Sequence, residues 1–229
     1  MKISLSWRYL LAFCALTILC GTSHEFVHHF TGAALCGHFG TKTFNSFTLA
    51  AGCDSNLVAV YWSAMAGPIF TFGLLWVGYF LLRRADAGSK GLGFALIFAN
   101  FPINRMLFCL LNSNDEQYAN RLLFGNSPLV FWLTIIVIWA IALPPLIEAY
   151  RQLENRPKAA WFIGFFVLPF IFVIGFAGLF LEQFLLVDRQ VLASSVLGIP
   201  YLILLVEILS AVVYEVFRKN LRPMVPLPN

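Results

Sequence analysis

Charge is what this sequence has least of. Asp, Glu, Lys and Arg together make 11% of its 229 residues, where a soluble domain carries about 25%. Such a chain lacks the polar side chains to cover a water-facing globule, and with 60% of its residues hydrophobic it reads as a polytopic membrane protein. No stretch of useful size is left over for a separate soluble domain, so a PDZ-like or other regulatory module is not expected. The net charge of +4 does not indicate a nucleic-acid partner; the placement of the charges reports orientation instead. No internal repeat with matching motifs recurs, which counts against the repeat-built transporters. Histidine is also scarce: all four (His24, His28, His29, His38) fall within fifteen positions.

What the chain has in abundance is long apolar runs. Six are long enough to cross roughly 30 Å of hydrocarbon as helices: residues 7–30, 56–82, 92–111, 128–150, 159–181 and 191–217. Polar breaks separate the later ones at 83–90, 112–126, 151–158 and 182–190. The expected fold is an all-α membrane protein of about six transmembrane helices, with a short hairpin or loop after the first. The segment 37–54 alternates Thr and Phe with polar residues between edge glycines, which suggests that hairpin or an extended loop. The first span is too long for a cleavable leader and lacks a small-x-small site. Residues 222–228, rich in proline, cannot continue a helix and are expected to trail loose.

Lys and Arg set the orientation. With the N-terminus in the cytoplasm, eleven of the fifteen fall inside, three (Lys42, Arg121, Arg189) fall outside, and Arg105 lies within a span. The positive-inside bias therefore puts both termini in the cytoplasm.

Against that apolar background stands His24-Glu25-Phe26-Val27-His28, an HExxH sequence near the outer end of the first span. Residues four apart share a helical face, so the two imidazoles can chelate one Zn²⁺, and Glu25 can take a proton from the attacking water. An ionisable residue inside a span costs several kcal/mol, which makes it a functional candidate by default. The bland alternative is a His/Glu-rich helix end in the headgroup layer.

A catalytic zinc takes three protein ligands, so a third is needed at the same depth. Asp115, just after the third span, is the first choice. Glu116 could substitute, Asp54 and Glu207 are weaker, and Glu207 in mid-span could equally be a proton shuttle or a helix–helix hydrogen bonder. His29 points about 100° away from His28 on a helix, and His38 reads as a solvated loop residue.

The third span contains Asn100-Phe101-Pro102-Ile103-Asn104-Arg105. Proline opens a helix where it lines a polar cavity, and Asn100 or Arg105 could face a developing oxyanion. The alternative is a plain kink, with the asparagines bonded to neighbouring helices and Arg105 salt-bridged or snorkelling. Ser63-Ala64-Met65-Ala66-Gly67-Pro68 is a small-residue patch suited to close helix packing. Of five cysteines, Cys14, Cys20 and Cys109 read as packing residues, whereas Cys36 and Cys53 bracket the outer segment and could pair in an oxidising compartment.

HExxH in the first span, Ala66-Gly67-Pro68 in the second and Asn100-x-Pro102 in the third followed by Asp115 resemble the site-2 protease family of intramembrane zinc metalloproteases. The resemblance covers about residues 7–125. It implies a helical core holding zinc between His24, His28 and Asp115, with Glu25 as base and Asn100 near the substrate. It also implies cleavage of membrane or membrane-tethered peptides in the bilayer. The chain departs from the pattern where Asp115 follows Asn100 by fifteen residues and Glu116 stands in place of Gly. Residues 1–125 are thus expected to form a metalloprotease-like core and 126–229 an additional three-helix bundle. The competing expectation is a non-enzymatic metal-binding membrane protein or small transporter.

Overall fold

Local capping starts most of the helices. Ser6, Asn56, Asp86, Asn114 and Ser127 each accept a hydrogen bond from a backbone N–H three residues on, which satisfies donors that a helix start leaves open. The computed structural model describes residues 1–223 and is almost entirely helical. Its elements are α1 (Trp7–Cys36), a short 3-10 turn (Cys53–Ser55), α2 (Leu57–Leu82), α3 (Ala87–Ala99), α4 (Pro102–Leu110), α5 (Asp115–Phe124) and α6 (Pro128–Gln152). Then come α7 (Lys158–Phe172), which continues as a π-helix (Val173–Asp188), a hairpin of β1 (Ser195–Val196) and β2 (Ile199–Pro200), and α8 (Tyr201–Phe217). Among the described residues, five helical stretches are long and apolar enough to cross a membrane: Trp7–Cys36, Leu57–Leu82, Ala87–Leu110, Pro128–Gln152 and Lys158–Asp188. That is the make-up of a multi-pass membrane protein. The main core lies where α1, α2, α3, α6 and α7 meet, around Phe13, Leu75, Phe94, Phe98, Ala142 and Phe165.

Four expectations need correction. The third stretch is two helices, because Pro102 disfavours helical geometry in the residue before it; Phe101 turns left-handed (φ 32°) and α4 restarts at the proline. The polar break 112–126 holds α5, nucleated by the Asn114 cap. The fifth span does not stop at 181: its helix runs to Asp188, with Phe172, Phe176, Phe180 and Phe184 stacked one on the next. The sixth stretch is helical only from Tyr201, since Pro200 has no N–H to continue a helix and the preceding residues turn back at Gly198 (φ 74°).

The segment after α1, expected as a hairpin or loop, is a tight turn with a single antiparallel bridge, Lys42 to Phe47, closed by Thr48 N–H to the Thr41 carbonyl and Thr43 N–H to the Ser46 carbonyl, both at 2.8 Å. The Lys42 N–H donates outward, to the Gly198 carbonyl at 2.9 Å. Gly198 must be glycine there, because a Cβ would collide with the Gly40 carbonyl. Cys36 and Cys53 form a disulfide that closes this segment. The tail anticipated at 222–228 lies, from residue 224 on, outside the described residues.

The two ends of the bundle differ. At one end the 37–52 segment, α5 and the 190–200 hairpin gather. At the other, the Met1 ammonium meets Glu154 at 2.9 Å, the Ile3 N–H donates to Asn155, and Gly91 packs on Leu221.

Candidate metal centre

One helix carries the first three groups. His24 and His28 lie one turn apart on α1, 6% and 1% exposed, with their Nε2 atoms 2.9 Å apart. Glu25 follows His24, and one ligand atom from each of the three falls within 4.8 Å of the others. The first turn of α5 adds Asp115, whose Oδ2 stands 3.5 Å from His24 Nε2 and 3.7 Å from His28 Nε2. Glu25 Oε1 lies farther out, 4.0 Å from His24 Nε2. A tetrahedral zinc with bonds near 2.05 Å separates its ligand atoms by about 3.3 Å, so the spacing of His24, His28 and Asp115 fits such an ion.

Helix α2 fixes the two rings. His28 Nδ1 donates to the Ser63 carbonyl at 2.6 Å. A carbonyl only accepts, so the proton sits on Nδ1 and Nε2 offers its lone pair. His24 Nδ1 pairs with the Thr71 hydroxyl at 2.8 Å. Ser63, Gly67 and Thr71 recur every fourth residue and so share one face. Gly67 lies between the two orienting groups, where a Cβ would come within 2.5 Å of His24 Cε1 and 2.6 Å of His28 Cδ2. From the other side Phe47 stacks on the His28 ring, centroids 4.5 Å apart and planes 10° apart.

The donor chemistry also fits a cation. Arg105 Nη2 presses on His24 Nε2. Since guanidinium only donates, that nitrogen is an acceptor, and its single lone pair would pass from the guanidinium to an ion bound there. The Nε2 atoms of His24 and His28 stand 2.9 Å apart, close enough to share one ion. Arg105 Nη1 reaches Asp115 at 2.6 Å and Glu116 at 3.3 Å. Three carboxylates (Glu25, Asp115, Glu116) lie near two cations, Arg105 and Lys42, and a divalent cation would offset the remaining negative charge. Burial alone would raise the Asp115 carboxyl, but the Arg105 charge and the two imidazoles outweigh it and hold Asp115 well below the usual range. Burial pushes Glu116 up, and Arg105 offsets only part of that.

The remaining candidates are placed elsewhere. Asn100 Nδ2 donates to the Leu96 carbonyl of its own helix at 2.7 Å, its Oδ1 is buried without a hydrogen-bond partner among the described residues, and Asn104 and Arg105 line the cavity beside His24. The same Leu96 carbonyl also accepts the Asn100 backbone N–H at 3.3 Å, so the amide folds back on its own helix end. Glu207 accepts from the Thr22 hydroxyl. His29 Nε2 donates to the Leu197 carbonyl at 2.8 Å, and His38 is exposed. Thr71 and the direct contact of Gly67 with the imidazoles escaped the sequence reading, though the Ser63–Gly67–Thr71 period of four was a visible signal.

Two cavities meet at the centre, of about 560 and 590 Å³. Glu25, Asn45 and Asp115 line both. Asn45 is held at this junction by Glu182, which accepts from its backbone N–H at 3.0 Å and its Nδ2 at 2.8 Å.

No protein-family model matches the chain, and no characterised protein or solved structure gives a match to it.

Proposed function

We propose that this chain is a zinc-dependent, membrane-embedded endopeptidase of the site-2 protease kind, acting on membrane or membrane-tethered proteins. The observation that carries the reading is the convergence of His24, His28 and Asp115, from two helices, at ligand spacing beside Glu25. His24, His28 and Asp115 would hold the ion, which supplies Lewis acidity and makes water a nucleophile near neutral pH. Ser63 and Thr71 keep the imidazoles turned toward it. Glu25 stands at the junction of both cavities, positioned to take a proton from the attacking water and pass it to the leaving amine nitrogen. Water's oxygen joins the carbonyl carbon as the C–N bond breaks. A metal-binding protein without catalysis would need no carboxylate at that junction, which favours the enzyme.

The chain crosses the bilayer six times in this reading, α8 being the sixth span at 17 residues, about 25 Å of helix. Both termini are cytoplasmic, and the metal centre lies toward the outer face. The end that gathers Met1, Glu154 and Leu221 is also where most Lys and Arg lie, and the disulfide belongs to the opposite, oxidising side.

The test is zinc content together with cleavage of a single-span peptide by the purified protein in liposomes. Wild type should hold about one zinc per chain. His24→Ala with His28→Ala should hold none, and Glu25→Gln should keep zinc while losing cleavage. Zinc retained in the double histidine variant, or undiminished turnover in Glu25→Gln, would refute the assignment.

A further inference from the structure

The two cavities that meet at Glu25 and Asp115 differ in character. The first is walled by α1, α4, α7, the π-helix and residues of the 37–52 and 112–115 segments; most of its surface is apolar, with Phe44, Phe101, Phe108 and Phe170 among its walls, and its polar groups include Asn104, Arg105 and Asn114 beside the centre. Most of its wall residues belong to apolar helices long enough to span a membrane. The second is walled by the 45–49 segment, the start of α2 and Tyr118 of α5, with Asn45, Ser46, Thr48 and Asp54 on its surface. All of these stand at the end of the bundle that holds the disulfide. Asp54 is exposed and, among the described residues, no Lys or Arg forms an ion pair with it.

We infer that the enzyme cuts its substrates at the outer boundary of a transmembrane segment, seating an apolar or aromatic residue in the first cavity and a basic residue beside Asp54 in the second. The inference rests on the protease reading of the same centre. A peptide passing Glu25 must occupy both cavities at once. The first cavity, most of whose surface is apolar, suits an apolar side chain better than a charged one, which would give up more hydration there than in the second. The polar cavity offers hydroxyl and amide partners and one carboxylate free to meet a cation. A bond in mid-span would put apolar residues in both cavities and strand those polar groups. Asp54 acts here as a specificity residue.

The experiment uses the full zinc-loaded chain in liposomes with two single-span peptides. They are identical except for Lys or Glu just beyond the outer end of the span, and products are mapped by mass spectrometry. Cleavage is expected at that boundary, with the Lys peptide cut about fivefold faster or more, since an exposed charge pair against a like-charge pair differs by roughly 1 kcal/mol. Asp54→Lys, an exposed change, should reverse the preference. Cleavage in mid-span, equal rates on the two peptides, or no response to Asp54→Lys overturns the inference and leaves the protease standing. If neither peptide is cut by the zinc-loaded chain, the protease reading falls, and this inference falls with it.

Discussion

Replacing Gly67 by alanine should dismantle the proposed metal centre without substituting any of its proposed ligands. The new Cβ would come 2.5 Å from His24 Cε1 and 2.6 Å from His28 Cδ2, where ordinary contact begins at 3.4 Å. The His24 ring must therefore retreat by roughly 0.9 Å to reach that contact distance, and the His28 ring, whose Nε2 lies closest to the new Cβ, by more. Both rings are tethered to the helix that carries the new methyl, His28 to Ser63 at 2.6 Å and His24 to Thr71 at 2.8 Å. A retreat of that size stretches these bonds to about 3.5 Å or beyond, the limit of a hydrogen bond. Overpacking of this kind costs about 1–3 kcal/mol, and loss of the partners that orient ligands weakens metal binding about 10- to 100-fold. Zinc affinity by competition with a chromophoric chelator is the assay. Gly73→Ala is the control, since it lies on the same helix and a Cβ there meets nothing within 4 Å. If Gly67→Ala binds zinc as wild type does, or Gly73→Ala loses as much, the packing argument is refuted.

Asp115→Ala should weaken zinc binding by about 100-fold or more, above the range for outer partners, while Glu116→Ala and Glu207→Ala should not; the same chelator competition decides it. Lys42 is 1% exposed, and burial lowers its pKa to about 8, partly offset by Glu25, Glu207 and Glu182. Between that value and the unfolded value near 10.4 the folded chain holds fewer protons than the unfolded one, so stability should rise with pH, by up to roughly 3 kcal/mol. Unfolding in detergent from pH 7.5 to 10.5 should show the rise, and Lys42→Met should flatten it; an equal slope in the variant would assign the rise to other groups. The Cys36–Cys53 bridge closes a segment of sequence separation 17, worth about 3 kcal/mol. Cys36→Ser with Cys53→Ser should lower the melting temperature accordingly, and an unchanged melting temperature would show that the loop is held by its other contacts.

The sequence by itself determined what is local. The scarcity of charge and the long apolar runs dictated a helical membrane protein, because burying a backbone in lipid leaves helices as the simplest way to satisfy its polar groups. The period of four placed His24 and His28 on one helical face, since that spacing is fixed by the 3.6-residue turn. The caps at Ser6 and Asn56, which escaped the sequence reading, are local in the same sense, each being a property of two or three adjacent residues. Apolar content could not say whether a run stays unbroken. So the division of residues 92–111 and the hairpin at 195–200 went unread, both set by single prolines and left-handed residues acting against the average. Tertiary structure alone decided what comes together over long separations. Asp115 stands 3.5 Å from His24 across ninety-one residues because α5 docks beside the first two helices. Gly67 serves the imidazoles because α2 crosses α1 at their depth. Asn100 bonds back to the Leu96 carbonyl of its own helix end because the chain breaks at Phe101. Such pairings depend on how helices pack around one another, and helix packing is set by the shapes of whole surfaces rather than by any one stretch of chain.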